Sequence, residues 1–276
     1  MNDPAIALLV SDVDGTLVDP DKQLRPAIVD AVERLRAAGV GFTLISARPP
    51  SGLLRLAGLL NVDAPLAAFN GGTLVTPTGT VLQRQTVDPE AVRGMFALAA
   101  GAGAAPWLFA GGRWYALSPD DPHAARERLS SEQEPQVVGD FAPFYGEVDK
   151  ITFVSDEPGV LRDLAGRGRA AFGGAANICQ SQSYYLDVTA PGANKGDGLV
   201  ALAAAMNVPM AAVAAIGDMA NDVPMFGRAA LSIAMGQAPD AVRAAAMRVT
   251  ASNREDGVAK AIDAFILPRA PMLPDR

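Results

Sequence analysis

Short apolar runs alternate with longer amphipathic ones over the first 75 residues. The runs Ile6–Ser11, Gly41–Ile45 and Leu66–Phe69 have the length of buried strands, and Pro26–Ala38 and Ser51–Leu60 between them read as helices. In the first helix the apolar positions Ile28, Val29, Val32 and Leu35 keep helical spacing, with Pro26 at the expected start and Gly39 as a stop signal. Strand and helix in strict alternation predict a parallel α/β unit. After Asn70-Gly71-Gly72, the runs Thr73–Val75 and Thr80–Gln85 predict a small hairpin around Pro77-Thr78-Gly79.

The pattern changes between residues 86 and 189, where short strands, short helices and turns follow one another. Trp107–Ala110 and Arg113–Leu117, joined by Gly111-Gly112, predict a β-hairpin. Both tryptophans, Trp107 and Trp114, and all 4 tyrosines fall in this stretch, where packing is their commonest role. From residue 190 the earlier style resumes. Gly196–Met206, Asn221–Gly227, Pro239–Ala245 and Gly257–Phe265 read as helices, and Ala212–Ile216, Ala229–Ala234 and Arg248–Thr250 as strands. The chain therefore predicts an α+β domain, residues 86–189, inserted into a parallel α/β domain made of residues 1–85 and 190–276. Linkers are expected near 84–88 and 188–193, and an irregular tail from Pro268.

Composition narrows the chemistry. Half of the 276 residues are hydrophobic, so the chain is globular. No apolar run approaches the roughly 20 residues that cross a bilayer, and the start Met1-Asn2-Asp3-Pro4 lacks a basic signal region, so a cytoplasmic protein is expected. A single Cys179 and a single His123 exclude an internal disulfide, a multi-cysteine zinc site and imidazole-rich metal sites. The net charge of −7 argues against a nucleic-acid or anionic-membrane partner, without excluding a local pocket for a small anion. Catalysis would thus rest on carboxylates, hydroxyls, Lys and Arg.

The first strand runs straight into Asp12-Val13-Asp14-Gly15-Thr16. Two carboxylates one residue apart repel unless a metal, a proton or a cationic side chain intervenes, and clustered oxygen ligands suit a hard ion such as Mg2+. A plain turn at Asp14-Gly15 is the alternative. A later strand repeats the logic, ending in Gly217-Asp218-Met219-Ala220-Asn221-Asp222. Parallel sheets bind ligands beyond the carboxyl ends of their strands where the strand order reverses, so Asp218 is a natural partner for Asp12 and Asp14; helix capping by Asp218 or Asn221 is the competing role. At a third strand end, Ser46 offers a hydroxyl to an anion or caps a helix, and Arg48 contacts substrate or is a solvated surface charge. Lys195 stands where a helix begins, opposing the helix dipole, a placement that makes sense if its ammonium faces carboxylates or a phosphate. No P-loop spacing surrounds it. The glycines of Gly166-Arg167-Gly168 lack the preceding strand that a dinucleotide motif requires.

Asp12-Val13-Asp14-Gly15-Thr16, Ile45-Ser46-Ala47-Arg48, Lys195 and Gly217–Asp222 occur in the order found in the haloacid dehalogenase-like hydrolases. The chain resembles that superfamily over residues 6 to about 265, and its insert resembles the large cap of the Cof-type phosphatases, subfamily IIB. The resemblance implies a Rossmann-like catalytic core with an α+β cap that selects the substrate. It implies a Mg2+-dependent phosphatase for a small phosphorylated metabolite, such as a sugar phosphate, working through an aspartyl-phosphate. In that scheme Asp12 is the nucleophile, Asp14 the acid and base, and Ser46 and Lys195 hold the phosphoryl oxygens. Asp12, the main-chain oxygen of Asp14 and Asp218 hold the metal, supported by Asn221 and Asp222. Ser46, Arg48, Asn70, Gly71, Lys195 and Asn221 contact substrate. Ala47 departs from the glycine usual in relatives, which permits positive φ or close approach. A phosphomutase of the same fold is one alternative and a non-catalytic phosphometabolite-binding protein another; a carbon–halogen hydrolase fits less well because Asp14 is present.

Overall fold

The protein is described by a computed structural model covering residues 5–271. The start Met1-Asn2-Asp3-Pro4 and the end of the expected tail lie outside the described residues. The first stretch forms β1 (Leu8–Ser11), α1 (Pro26–Ala37), β2 (Gly41–Leu44), α2 (Ser51–Leu59), β3 (Leu66–Ala68), β4 (Thr73–Val75) and β5 (Val81–Arg84). The middle forms α3 (Pro89–Ala99), β6 (Ala105–Ala110), β7 (Arg113–Ala116), α4 (Ala124–Ser131), β8 (Gln136–Val137), β9 (Val148–Val154), α5 (Pro158–Phe172), β10 (Asn177–Gln182) and β11 (Tyr185–Thr189). The last stretch forms α6 (Lys195–Ala205), β12 (Val213–Gly217), α7 (Val223–Phe226), β13 (Leu231–Ala234), α8 (Asp240–Ala245), β14 (Arg248–Val249) and α9 (Gly257–Ala261).

Five strands make an all-parallel sheet in the order β14-β13-β12-β1-β2. Such sheets are covered on both faces, which is why these strands read as unbroken apolar runs. Leu9 packs with Ile28 and Leu35 of α1 on one face, while Leu8 and Val10 join Leu199, Leu202 and Met225 on the other. From β1 the chain first builds outward to β2 and later returns on the opposite side to β12. The crevice beyond β1 and β12 is therefore the place where the strand order reverses.

The middle stretch forms a second, six-stranded sheet, β10-β11-β9-β6-β7-β8, antiparallel except where β7 meets β8. This is the cap. One of its faces carries Leu108, Ile151, Phe153, Leu186 and Val188 and packs under α3 and α5. The opposite face carries Trp107, Phe109, Trp114 and Tyr185, which join the apolar cluster of the core; Phe109 meets Phe69 of the core at 5.7 Å between ring centroids. Helix α4 lands on the first turn of α2, where Ser51 Oγ donates to Ser131 O at 2.5 Å. Gly52 is required there, because a Cβ would run into the carbonyl oxygen of Ser130.

The structure departs from the sequence reading at several places. Leu66–Phe69 is not a further strand of the parallel sheet: β3 touches the core through one parallel bridge, Ile45 to Ala67, and otherwise pairs antiparallel with β4. Its last residue, Phe69, turns to φ 50°, followed by Asn70 at 58°, and these two left-handed residues end the strand. The Asn221–Gly227 helix divides into a single turn at Ala220–Asp222 and α7. The last helix widens into a π turn over Ile262–Ile266. Pro268 sits in an ordered turn, Leu267–Arg269, whose Arg269 carbonyl accepts a hydrogen bond from the Ile6 N–H at 2.7 Å. Among the described residues no helix is long and apolar enough to cross a membrane.

Candidate active site

Asp12 and Asp218 come together because β1 and β12 are hydrogen-bonded neighbours to their last residues, the Asp12 N–H still donating to Ile216 O at 3.0 Å. The chain then bends at Gly15, whose φ of 84° few other residues adopt; a side chain there would also collide with the Asp218 carboxylate. Thr16 Oγ1 donates to Asp218 Oδ1 at 3.0 Å. Neither Asp218 nor Asn221 makes a side-chain cap of the following turn; Asp222 fills that space, its Oδ2 accepting from the N–H groups of Asp218 and Met219 at 2.8 Å each.

Lys195, the first residue of α6, is fully enclosed and donates to Asp12 Oδ1 and, at 2.6 Å, to Asp222 Oδ1. Asn194 caps that helix by accepting from the Asp197 N–H at 3.0 Å. Burial pushes the Asp12 carboxyl up and Lys195 only partly pulls it back, leaving it at about 7. Burial together with the charges of Asp12 and Asp222 raises Asp218 as well. For Lys195 burial works against the ammonium, but the two carboxylates outweigh it and hold its proton more firmly than usual. One oxygen from each of Asp12, Asp218 and Asp222 lies within 4.8 Å of the others. Three carboxylate oxygens at this spacing are a donor set that could hold a hard divalent cation. Asp222 joins this side-chain cluster and Asp14 does not.

Asp14 points elsewhere. Its Oδ2 accepts from Arg48 Nε at 2.7 Å, its Oδ1 from Arg48 Nη2 at 2.8 Å, and Lys22 donates to Oδ1 as well. Burial raises this carboxyl, yet the charges and hydrogen bonds of Arg48 and Lys22 prevail and hold it below the ordinary carboxylate range. The two aspartates are thus relieved by separate cations. Arg48 is buried, so it is no solvated surface charge. Lys22 went unnoticed in the sequence because nothing in its neighbours marks it. It reaches Asp14 from a turn with its own φ at 61°, built on Asp19 Oδ1 accepting from the N–H groups of Asp21 and Gln23.

Ser46 follows β2 and lies five positions before α2, so it does not cap that helix; its Oγ accepts from the Arg48 N–H at 3.2 Å. Ala47 is not among the residues with positive φ, so the methyl costs no backbone strain there. Asn221 lines the cavity, and its Nδ2 donates to Asn70 Oδ1 at 3.1 Å behind it. Asn70 Nδ2 and Asn221 Oδ1 are buried without a partner among the described residues. Gly71 is not among the residues lining the cavity and packs against Gly198 of α6, where its bare Cα allows the approach.

A small open-mouthed cavity joins Asp12, Asp14, Ser46 and Asn221 to a wall supplied by the cap. That wall includes Arg126 and Glu127 of α4, Lys150 of β9, Ser181, Tyr184 and Tyr185. The sequence reading named none of these individually as site residues. A signal existed for Lys150 and Asp187: each is a charged residue inside a strand buried along its whole length, where a charge needs a reason. Trp107 and Trp114, in contrast, are fully buried and pack, as expected.

The family model described as haloacid dehalogenase-like hydrolase matches residues 9–262. Among solved structures, a haloacid dehalogenase-like hydrolase from Bacteroides thetaiotaomicron is similar at 27% identity and TM-score 0.81, over 94% of this chain and 98% of that one. A haloacid dehalogenase-like hydrolase from B. subtilis shares the fold at 20% identity and TM-score 0.82, over 94% and 100% of the two chains. A HAD subclass IIB sugar phosphatase shares it at 24% identity and TM-score 0.82, over 94% and 99%. The match runs from the first core strand to the last helix and so includes both strand ends that carry the aspartates. This chain belongs to the haloacid dehalogenase-like hydrolases.

Proposed function

We propose that the protein is a Mg2+-dependent phosphatase of the Cof-type, subfamily IIB branch, acting on a small phosphorylated metabolite through an aspartyl-phosphate. The observation that carries this reading is the enclosed Lys195 ammonium shared by Asp12 and Asp222, with Asp218 beside them at the strand-order reversal. Residues 1–85 and 190–276 would be the catalytic core and 86–189 the substrate-selecting cap. The fold shared with a subclass IIB sugar phosphatase makes a sugar phosphate the first substrate to try.

In this reading Asp12 attacks phosphorus while the bond to the leaving oxygen breaks, and Asp14 gives that oxygen its proton. Water then attacks the phosphorus of the acyl phosphate, Asp14 takes up the water's proton, and Asp12 departs as a carboxylate. Lys195 and Ser46 hold the phosphoryl oxygens. Arg48 and Lys22 orient Asp14, and the substrate dianion competes for both cations, weakening their hold and letting Asp14 carry a proton. Asp12, Asp218 and the main-chain oxygen of Asp14 would hold Mg2+, with Asp222 and Asn221 in support. The ion would neutralise charge between nucleophile and phosphate. Uncatalysed phosphomonoester hydrolysis is slow enough to need up to ~10^21-fold acceleration, so fixed charges at this site carry much of the effect.

The test is release of inorganic phosphate from a panel of phosphate esters, with Mg2+, by the wild type and by Asp12→Asn. Release by the wild type alone supports the reading. An isomeric ester formed without phosphate marks a mutase instead, and appreciable turnover by Asp12→Asn removes Asp12 as the nucleophile.

A further inference from the structure

The cap face turned to the core is mostly aromatic, yet three polar residues stand together in it. Lys150 and Thr152 are two apart on β9 and so share this face, and Asp187 lies opposite Thr152 in the β9–β11 register. Thr152 Oγ1 donates to Asp187 Oδ1 at 2.8 Å, and Lys150 Nζ stands 3.6 Å from the same oxygen. The other oxygen, Asp187 Oδ2, is buried with no hydrogen-bond partner among the described residues. Lys150 crosses to the core, donating to Ala47 O at 3.0 Å, with its ammonium 4.7 Å from the centre of the Phe109 ring. An ammonium has three hydrogens to donate, and this one makes a single hydrogen bond among the described residues.

Glu127 faces the same space from α4. It is 5% exposed, and its side chain accepts one hydrogen bond among the described residues, from Ser130 Oγ to Oε2 at 3.2 Å. Burial pushes its carboxyl above the ordinary range, Lys150 pulls it back in part, and Asp187 and Asp14 push it up further. Of the buried charged groups here, Glu127 and Lys150 line the cavity and Asp187 stands behind Lys150, while Arg126, the other cation of that wall, is solvent-exposed. On the core side Arg48 and Lys22 are already engaged by Asp14. A leaving group entering here meets unsatisfied acceptors on Glu127, unused donors on Lys150, and a surplus of negative charge.

Resting on the phosphatase reading, we propose that Glu127 and Lys150 select the leaving group: the cavity takes the phosphate ester of an uncharged, hydroxyl-bearing molecule and rejects one that carries a second anionic group. Glu127 accepts from a substrate hydroxyl and Lys150 donates to a substrate oxygen. Glu127 and Asp187 repel a carboxylate or second phosphate brought to the same place. Two like charges about 6 Å apart at an effective dielectric of about 20 correspond to roughly a hundredfold in rate or affinity.

The full-length enzyme distinguishes the cases with one matched pair of substrates, glycerol 3-phosphate and 3-phosphoglycerate, which differ by a carboxylate in place of a hydroxymethyl group. Assays with Mg2+ at about pH 8, above the carboxylate range, give the ratio of the two kcat/KM values. The wild type should favour glycerol 3-phosphate by roughly a hundredfold. Glu127→Gln should narrow that ratio by about tenfold and Lys150→Met should widen it by a similar factor. The opposite signs matter, because damage to the cap's structure would move both variants the same way. A wild type that prefers 3-phosphoglycerate, or folded variants with an unchanged ratio, overturns the selection by Glu127 and Lys150 while leaving the phosphatase reading in place. If Glu127→Gln does not fold, the wild-type ratio and Lys150→Met still decide. Absence of phosphate release from both esters and from p-nitrophenyl phosphate overturns the phosphatase reading, and this proposal with it.

Discussion

On the core side Asp12 and Ser46 line the cavity and, with Asp218 nearby, stand just beyond the ends of parallel strands, whereas on the cap side Lys150 lines it and, with Asp187 behind it, stands within an antiparallel pair of strands. The difference in placement goes with a difference in saturation. Asp12, Asp222 and Asp14 in the core are each held by a cationic side chain, Lys195 for the first two and Arg48 with Lys22 for the third, while Glu127 and Asp187 in the cap retain unused acceptor capacity. A group that acts on every substrate profits from a fixed position. One that recognises a variable part of the substrate has to leave bonds unmade until that part arrives.

A core substitution should therefore scale all substrates by one factor and a cap substitution should reorder them. The largest effect belongs to Asp12→Asn, which should lower kcat at least ~10^4-fold on every ester; phosphate-release rates across a panel would show whether the factor is uniform. Next comes Lys195→Met, which leaves Asp12 and Asp222 enclosed and uncompensated. We expect about 3–5 kcal/mol lost from the unfolding free energy in urea melts, with turnover of glycerol 3-phosphate and p-nitrophenyl phosphate falling alike. Unequal losses would break the comparison.

The third effect is pH dependence. The folded chain keeps a proton on Asp12 up to about 7, against an ordinary value of 3.8, so the folded state binds the extra proton between these limits. Stability from this group is therefore present at the acid end of the window and declines as pH rises through it. Asp14 has the opposite sign: its contribution is present above the ordinary carboxylate range and is lost on acidification. In the proposed scheme Mg2+ would compete with the proton on Asp12, so the Mg2+ concentration giving half-maximal activity should rise by up to ~10-fold per unit below about pH 7, read from Mg2+ titrations at several pH values. The smallest effect is at the rim of the cap contact, where Arg55 Nε donates to Glu132 Oε1 at 2.5 Å with the arginine about half exposed. Arg55→Ala should shift the urea midpoint by less than ~1 kcal/mol in stability and leave the order of substrates untouched.

How much of this was legible in the sequence follows from the same contrast. An apolar run that ends in Asp12 or Asp218 announces both a buried strand and the residue beyond it within one short window. The alternation of such runs made the parallel sheet legible. Lys150 and Asp187 are 37 positions apart and become neighbours only through a strand pairing that no local pattern encodes. Arg48 was visible as a candidate, but its two hydrogen bonds to Asp14 depend on the bend at Gly15. Gly71 stood beside functional residues in sequence, and helix packing claimed it.

Gly52 bears on all of these distances. Glycine is a poor helix former, and its place in the first turn of α2 lets the Ser130 carbonyl rest almost on the helix backbone. The contact works as a hard stop in one direction: the cap can lift away from it but cannot descend further. The depth of the cavity between Glu127 and Asp14 is thereby limited by main-chain atoms, and substitutions along its walls can change what the chamber recognises while its floor-to-roof spacing stays the same.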